Sequence, residues 1–367
     1  MLIKSTIAAR LTRSIVFLVA SAGCAAISPG NAVAQNLPPP APLAAPTPSI
    51  VYRAQNEDAI HNYRTNPEVV RHMTNELVLA VTHQPDIASA WRSLVRPNDR
   101  VGIKISAAGG ELFTTHRDIV NAIVDGLVAA GHSRQSIIVW DRSLGGIKEA
   151  GYTEGEGYQL RSIPPREGYD AKAIISEPFL GNLIWGDFDY VGGRGEVPLL
   201  SETENTSSVS HLSKIVANEV TKIINLPVLS DNVRNGLAGC LYNVTIPNVD
   251  NWRRFGVPPD FGASSIPEIY NDPHIGQKVV LNLMDGLLAQ YAGGPQSQPG
   301  YAFPFATLYA SKDPVAIDAI ALRQLEEWRK KRKVPPIKRL GAHVQVAQEL
   351  GLGNADFSRI VIRDVGP

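Results

Sequence analysis

Cysteine is nearly absent from the 367 residues: Cys24 and Cys240 are the only two. With Cys24 removed in a cleaved leader, one thiol remains and no internal disulfide can form. Four-cysteine cluster ligation and thiolate zinc sites fall on the same count, so no iron–sulfur cluster is expected. Charge of one sign is lacking too, because Lys+Arg and Asp+Glu are both 35. No excess of either draws the chain to nucleic acid or to an anionic membrane. The longest apolar run, residues 14–26, falls short of the roughly 20 residues a span needs, so no integral membrane segment is expected after leader cleavage. There is no P-loop, G-x-S-x-G or H-E-x-x-H, and Gly192-Gly193-Arg194-Gly195 lacks the strand–turn–helix setting of a dinucleotide fingerprint. What remains is a chain that is 44% hydrophobic, with enough length for two domains or one elaborated α/β domain stabilised by its core.

Residues 1–34 have the pattern of a secretory signal: Lys4, Arg10 and Arg13, then Ile15 to Val19 in an apolar stretch, then Ala32-Val33-Ala34 as a small-x-small cleavage site. The expected location is therefore exported, periplasmic or extracellular. A lipid anchor on Cys24 is the alternative, although Ser21 stands where a lipobox has an aliphatic residue. Residues 35–49 are rich in proline and alanine and form a linker. Residues 50–367 are expected to be one α/β domain, with a loop-rich insertion over about 145–210.

Within that domain, apolar positions at helical spacing over 52–94 predict one or two helices. His61, His72 and His83 share that segment at intervals of eleven, which suits a surface face better than a metal site. Residues 101–105 form a strand, Arg117 to Ala130 a helix ended by Gly131, and 137–140 the next strand. This is a β-α-β unit, and ligands of such sheets gather beyond the strands' carboxyl ends. Further strands are expected at 222–225, 279–283 and 359–363, with a helix at 213–220 and another at 341–350.

Polar residues at those ends are the candidates. Lys104 interrupts an apolar strand, which is costly unless it is paired. Asp141, Asp231 and Asp285 each close a strand, and Asn243 follows the glycine-rich start of residues 235–244. Asp313 precedes Pro314 as a helix N-cap, a role that explains it without function. His116 starts a helix, where functional and surface roles are equally open. Cys240 sits among Leu237, Ala238 and Leu241 as a small buried hydrophobe, and Trp252 to Phe255 either stacks on a ligand or anchors its loop.

Val101 to Lys104, Thr114-Thr115-His116, Ile224-Asn225-Leu226-Pro227, Gly239 to Asn243, Asp285-Gly286, Gly293-Gly294-Pro295, residues 311–318 and Gly351-Leu352-Gly353 resemble, in that order, the family called domain of unknown function 362. The resemblance runs from about Val101 to Ile362. It implies a fold that is α/β, with a mixed or mainly parallel sheet flanked by helices, and no established general activity. Some relatives carry ferredoxin-like cysteine clusters, which this chain lacks. It also departs from the family at Ile105-Ser106, at Ser230 and Asn232, and at Tyr242, where basic, imidazole or amide groups are usual.

The combined expectation is an exported protein in which Lys104, Asp141, Asp231, Asn243 and Asp285 meet in one cleft, with Asp313 near it. An enzyme would use the aspartates, with Asp285 and Asp313 as ligands, for a hard divalent cation that polarises a carbonyl or phosphoryl oxygen. Lys104 would hold developing negative charge or act as a base. The alternative is a non-catalytic envelope protein that binds a small polar ligand in the same cleft. Substrate and oligomeric state are not specified by these residues.

Overall fold

The alternation that marks strands in the sequence builds one ten-stranded sheet and two hairpins in a computed structural model, which describes residues 47–182, 206–337 and 340–366. Residues 1–34, expected as a leader, and nearly all of the expected linker lie outside the described residues, as does the middle of segment 145–210. In chain order the strands are β1 (Ser49–Gln55), β2 (Ile60–His61), β3 (Arg64–Thr65), β4 (Val101–Ile105), β5 (Ile138–Trp140), β6 (Gln159–Arg161) and β7 (Tyr169–Asn182). They continue as β8 (Thr206–Ser213), β9 (Lys222–Leu226), β10 (Val228–Asn232), β11 (Gly236–Leu237), β12 (Val279–Gln290), β13 (Ala302–Ser311) and β14 (Ile360–Val365). The helices are α1 (Pro67–Thr82), α2 (Ile87–Leu94), α3 (Arg117–Ala129), α4 (Leu144–Glu149), α5 (Cys240–Thr245), α6 (Ser265–Asn271), α7 (Pro314–Lys331) and α8 (His343–Glu349).

The main order is β14-β1-β13-β12-β9-β4-β5-β6, with β10 and β11 branching from β12. Pairs from β12 through β6 are parallel, whereas β13 is antiparallel to both β12 and β1. The fold is therefore α/β on a mixed, mostly parallel sheet flanked by helices. Side chains alternate across it. Ile103, Ile105, Ile224, Leu226, Leu281 and Leu283 face one core, where α1, α2 and α3 contribute Leu77, Trp91 and Ile123. Trp140, Ile223 and Met284 face the other, with Val244, Ile266 and Ile317 from α5, α6 and α7.

That division of helices fixes where a crevice opens. The chain leaves β4 through α3 on the first face and returns as β5; it leaves β9 through α5 and α6 on the second face and returns as β12. Right-handed crossovers put connections on opposite faces only when they travel in opposite directions along the sheet. The strand order thus reverses between β4 and β9, and such a reversal leaves a crevice at the strands' carboxyl ends.

Several local expectations are corrected. Residues 49–55 form β1 rather than part of a helical segment, because β13 and β14 pair with it from both sides. Residues 215–219 make a single wide helical turn in place of the helix expected at 213–220. Residues 159–161 join the main sheet beside β5, so segment 145–210 contributes an edge strand as well as the hairpin β7–β8. His61, His72 and His83 are all exposed, but they do not share one helix face, because His61 belongs to β2, His72 to α1 and His83 follows the end of α1.

Candidate functional site

Across three adjacent strands, register aligns Lys104 with Asn225 and Asn225 with Asn282. Each is a polar residue in an apolar strand, and all three are fully buried on the α5 face. A buried polar row of this kind is stable only when its members satisfy one another. Lys104 Nζ donates to Asp141 Oδ1 at 2.6 Å, to the Ile105 carbonyl at 2.6 Å and to Asn243 Oδ1 at 3.3 Å. Asn243 Nδ2 donates to Asn225 Oδ1 at 2.9 Å, and Asn225 Nδ2 donates to Asn282 Oδ1 at 2.9 Å and to the Cys240 carbonyl at 2.8 Å. Burial pulls the Lys104 ammonium below its ordinary pKa, and the Asp141 carboxylate restores only part of it.

Asp141, directly after β5, is the member that reaches the surface. Its Oδ1 also accepts the Arg142 N–H at 2.8 Å, and Oδ2 accepts the Ala107 N–H at 2.7 Å. Asp141 and Asn243 form the polar floor of a pocket of about 170 Å³ at the crevice between β4 and β9. Ala107, Ile246, Pro247 and Pro295 supply apolar wall, and Arg142 and Trp252 stand at its side. Lys104 does not line the pocket; it lies beneath these two residues.

The segment from Ser106 to His116, whose first residues Ser106, Ala107 and Ala108 line the pocket, is tied at both ends. Ser106 exchanges two hydrogen bonds of 2.9 Å with Thr115, whose hydroxyl donates to the Leu226 carbonyl at 2.7 Å. Asp141 takes the Ala107 N–H on one face of the sheet, and Asp285 takes the His116 N–H at 2.8 Å on the other.

The expected meeting of Lys104 with Asp285 is therefore corrected. Asp285 is two residues from both Leu283 and Leu287 and shares their face, so it points to the α3 side, where Oδ2 meets His116 Nδ1 at 2.7 Å. Burial pulls the His116 imidazole down, but the Asp285 carboxylate outweighs it and the pKa ends above its usual value. Asp231 is also separate. Its Oδ1 accepts the Gly294 N–H at 2.9 Å and supports the loop that carries Pro295, with Arg329 Nη1 3.5 Å from Oδ2. Burial raises its pKa against those bonds.

Asp313 caps α7, with Oδ1 accepting the Ala316 N–H at 3.0 Å and Oδ2 accepting the Asn354 N–H at 2.9 Å and the Ser49 hydroxyl. Register sets Ser311 opposite Asn282, so Asp313 lies beyond the amino half of β12 while Asp285 belongs to its carboxyl half. The two do not share a ligand set, and among the described residues no group of three His, Cys, Asp or Glu side chains could hold a metal ion. Cys240 is fully buried, its thiol pushed far up by burial.

Asn225, Asn282 and Arg142 were not among the expected site residues, and Trp252 was expected either to stack on a ligand or to anchor its loop. The signal for the asparagines was present: each breaks an apolar strand as Lys104 does. Arg142 carries no such signal, because it meets Trp252 only through the fold.

A family model described as Domain of unknown function (DUF362) matches residues 101–323, which include β4, the asparagine row and most of α7. No curated protein matches the chain. A protein from Thermotoga maritima with a known crystal structure aligns at 10% identity and a TM-score of 0.39, over 79% of this chain and 60% of that one.

Proposed function

Starting from the fact that the chain belongs to the domain of unknown function 362 family, we propose that it is an enzyme of the cell envelope acting on a small polar molecule in the pocket over Asp141 and Asn243. The observation that carries this reading is the buried Lys104–Asp141 pair, 2.6 Å apart, opening through Asp141 and Asn243 at the strand-order reversal. Charge-paired ionisable groups beside a concave pocket, with a buried member such as Lys104 shifted from its ordinary pKa, cluster at functional sites.

The roles follow from position. Asp141 is the residue placed to touch substrate, exchanging a proton with a hydroxyl or an acidic C–H. Lys104 is a positioning residue, whose cation holds Asp141 in one rotamer. Asn243 orients the substrate while its amide stays locked by Lys104 and Asn225. Export rests on the basic, apolar and small-x-small pattern of residues 1–34. Among the described residues no helix is long and apolar enough to cross a membrane.

The test is turnover of a panel of small hydroxy and oxo compounds followed by mass spectrometry, with wild type beside Asp141→Asn. Loss of about 10²–10⁴ in rate with the fold retained supports the reading. Equal turnover in the variant overturns the assignment of Asp141. Saturable binding without turnover in either protein favours the non-catalytic alternative, a small-ligand-binding protein of the envelope.

A further inference from the structure

The overall balance of 35 acids and 35 bases conceals a local excess at the carboxyl end of α7. Lys330, Lys331, Arg332 and Lys333 follow one another there, and all four are exposed. Among the described residues none of them has a carboxylate partner. The nearest acids on the helix are engaged elsewhere: Glu327 pairs with Arg323 at 3.2 Å, and Glu326 accepts the Ile337 N–H at 2.8 Å. A helix's carboxyl end carries about half a unit of negative charge, which favours a cation but does not balance four. Arg329, just before them, is engaged within the fold. It donates to the Pro335 carbonyl at 2.7 Å and to the Tyr291 carbonyl at 2.8 Å, tying the helix end to the loop after β12.

Beside these cations lies an aromatic surface without charge. Residues 286–311 contain no acidic or basic side chain. β1 pairs with β13 over Thr307 to Ala310, so Ala302 to Phe305 have β12 as their one strand partner among the described residues. Alternation puts Phe303 and Phe305 on one face of this arm, where Trp328 of α7 lies T-shaped to both, with ring centroids 4.9 Å apart in each pair. Tyr301, 41% exposed, continues the row through Tyr291, whose ring is 5.6 Å away. Phe303, Phe305 and Trp328 are half-buried, and Pro304 is exposed. Lys331 and Arg332 stand three and four residues beyond Trp328, hence over the same side of α7.

Unpaired cations joined to an uncharged aromatic face match the interfacial zone of a lipid bilayer, where anionic head groups meet the cations and Trp and Tyr rings settle at head-group depth. We infer that this face, from Tyr301 and Phe305 across Trp328 to Lys333, docks the protein on an anionic phospholipid bilayer without crossing it. A free polyanion would use the cations and leave the aromatic arm unexplained. Docking is independent of the chemistry in the pocket, although the same β12–β13 connection carries Pro295 and Gln296 of the pocket wall.

The test is co-sedimentation of the whole protein with phosphatidylcholine vesicles prepared with and without phosphatidylglycerol. Binding to the anionic vesicles is expected to be at least about tenfold tighter, with the preference falling as salt is raised. One chain carrying Lys330→Gln, Lys331→Gln, Arg332→Gln and Lys333→Gln should bind about a hundredfold more weakly, since each cation near an anionic surface contributes roughly fivefold. Residues 1–34 are the same in both proteins and cancel in that comparison. Brominated lipid should quench the fluorescence of the bound protein, with part of the quenching lost in Trp328→Phe, and Tyr301→Ser should weaken binding several-fold. Equal binding to both kinds of vesicle, binding to neither, or anionic binding unchanged by the four substitutions overturns the proposal. Anionic binding without quenching, matched by equal binding to polyphosphate, assigns the cations to a free polyanion and also overturns it. The turnover comparison with Asp141→Asn judges the enzyme reading separately.

Discussion

Lys104 and Asp285 stand on opposite faces of the sheet, each held by a partner of its own: Asp141 at 2.6 Å for the lysine, His116 at 2.7 Å for the aspartate. One strand, β9, lies between their strands and contributes Asn225 to the lysine's side alone. The two pairs are therefore separable by mutation, and they predict different things.

Removing the lysine leaves Asp141 ionised at the edge of the core. Lys104→Met is expected to destabilise the fold by about 3–5 kcal/mol, the usual result of breaking a buried pair. In a double-mutant cycle with Asp141→Asn, a coupling of about 1–3 kcal/mol should appear in urea unfolding. Strict additivity would show that the pair does not act as a unit.

Protonation of His116 gives a pH dependence of definite sign. Its pKa in the fold is raised above the usual 6.5, so the stability it adds is fully present below 6.5 and is lost as pH rises through the higher folded value. The stability difference between wild type and His116→Gln should shrink as pH rises from 5.5 to 9, measured by denaturant midpoints. A constant difference would mean that the ring does not change charge there.

Asp318 behaves as a buried cap for α5, the helix that carries Asn243. Its two oxygens accept the N–H groups of Cys240 at 2.6 Å and Leu241 at 2.9 Å, while burial pushes its pKa from 3.8 to about 7. Asp318→Ala orphans both donors and should cost about 2–5 kcal/mol at pH 4. Because the fold retains the proton between 3.8 and about 7, the contribution of Asp318 declines as pH rises across that window and levels off above it. Urea titrations of the two proteins at pH 4 and pH 8 should show a smaller gap at pH 8.

A methyl group at Gly294 would lie 2.2 Å from the Asp231 carbonyl oxygen and 2.5 Å from Ser230 Oγ. Neither can yield without moving β10, so Gly294→Ala should destabilise by about 1–3 kcal/mol and displace the Pro295 and Gln296 wall. Ligand affinity should fall by more than that of a control such as Gly300→Ala, where the added methyl meets nothing within 4 Å.

The β-α-β unit, the α7 cap and the pairing need of Lys104 were legible because each depends on neighbours in the chain. Apolar alternation, Asp313-Pro314 and a lysine in Val101 to Ile105 each state a local requirement. The partners of Lys104 were legible in part: Asp141 and Asn243 were expected in one cleft with it. The place of Asp285 there was not correct, because residue parity within β12, which Asp285 shares with Leu281 and Leu283, decides the face it meets. β1 was hidden in a segment of helical spacing because its strand character comes from β13 and β14, at the far end of the chain. Arg142, Arg234 and Arg253 reach the Trp252 ring from three loops and leave no periodic trace.

The segment from Ser106 to His116, whose first three residues form a wall of the pocket, is fastened at its two ends by carboxylates on opposite faces of the sheet, Asp141 and Asp285. A wall so anchored has little conformational freedom left to lose when a ligand arrives. Association should then lack the slow phase of a closing lid, with a rate linear in ligand concentration. Selectivity would reside in how long a molecule stays, since a shape already formed discriminates through the rate of departure.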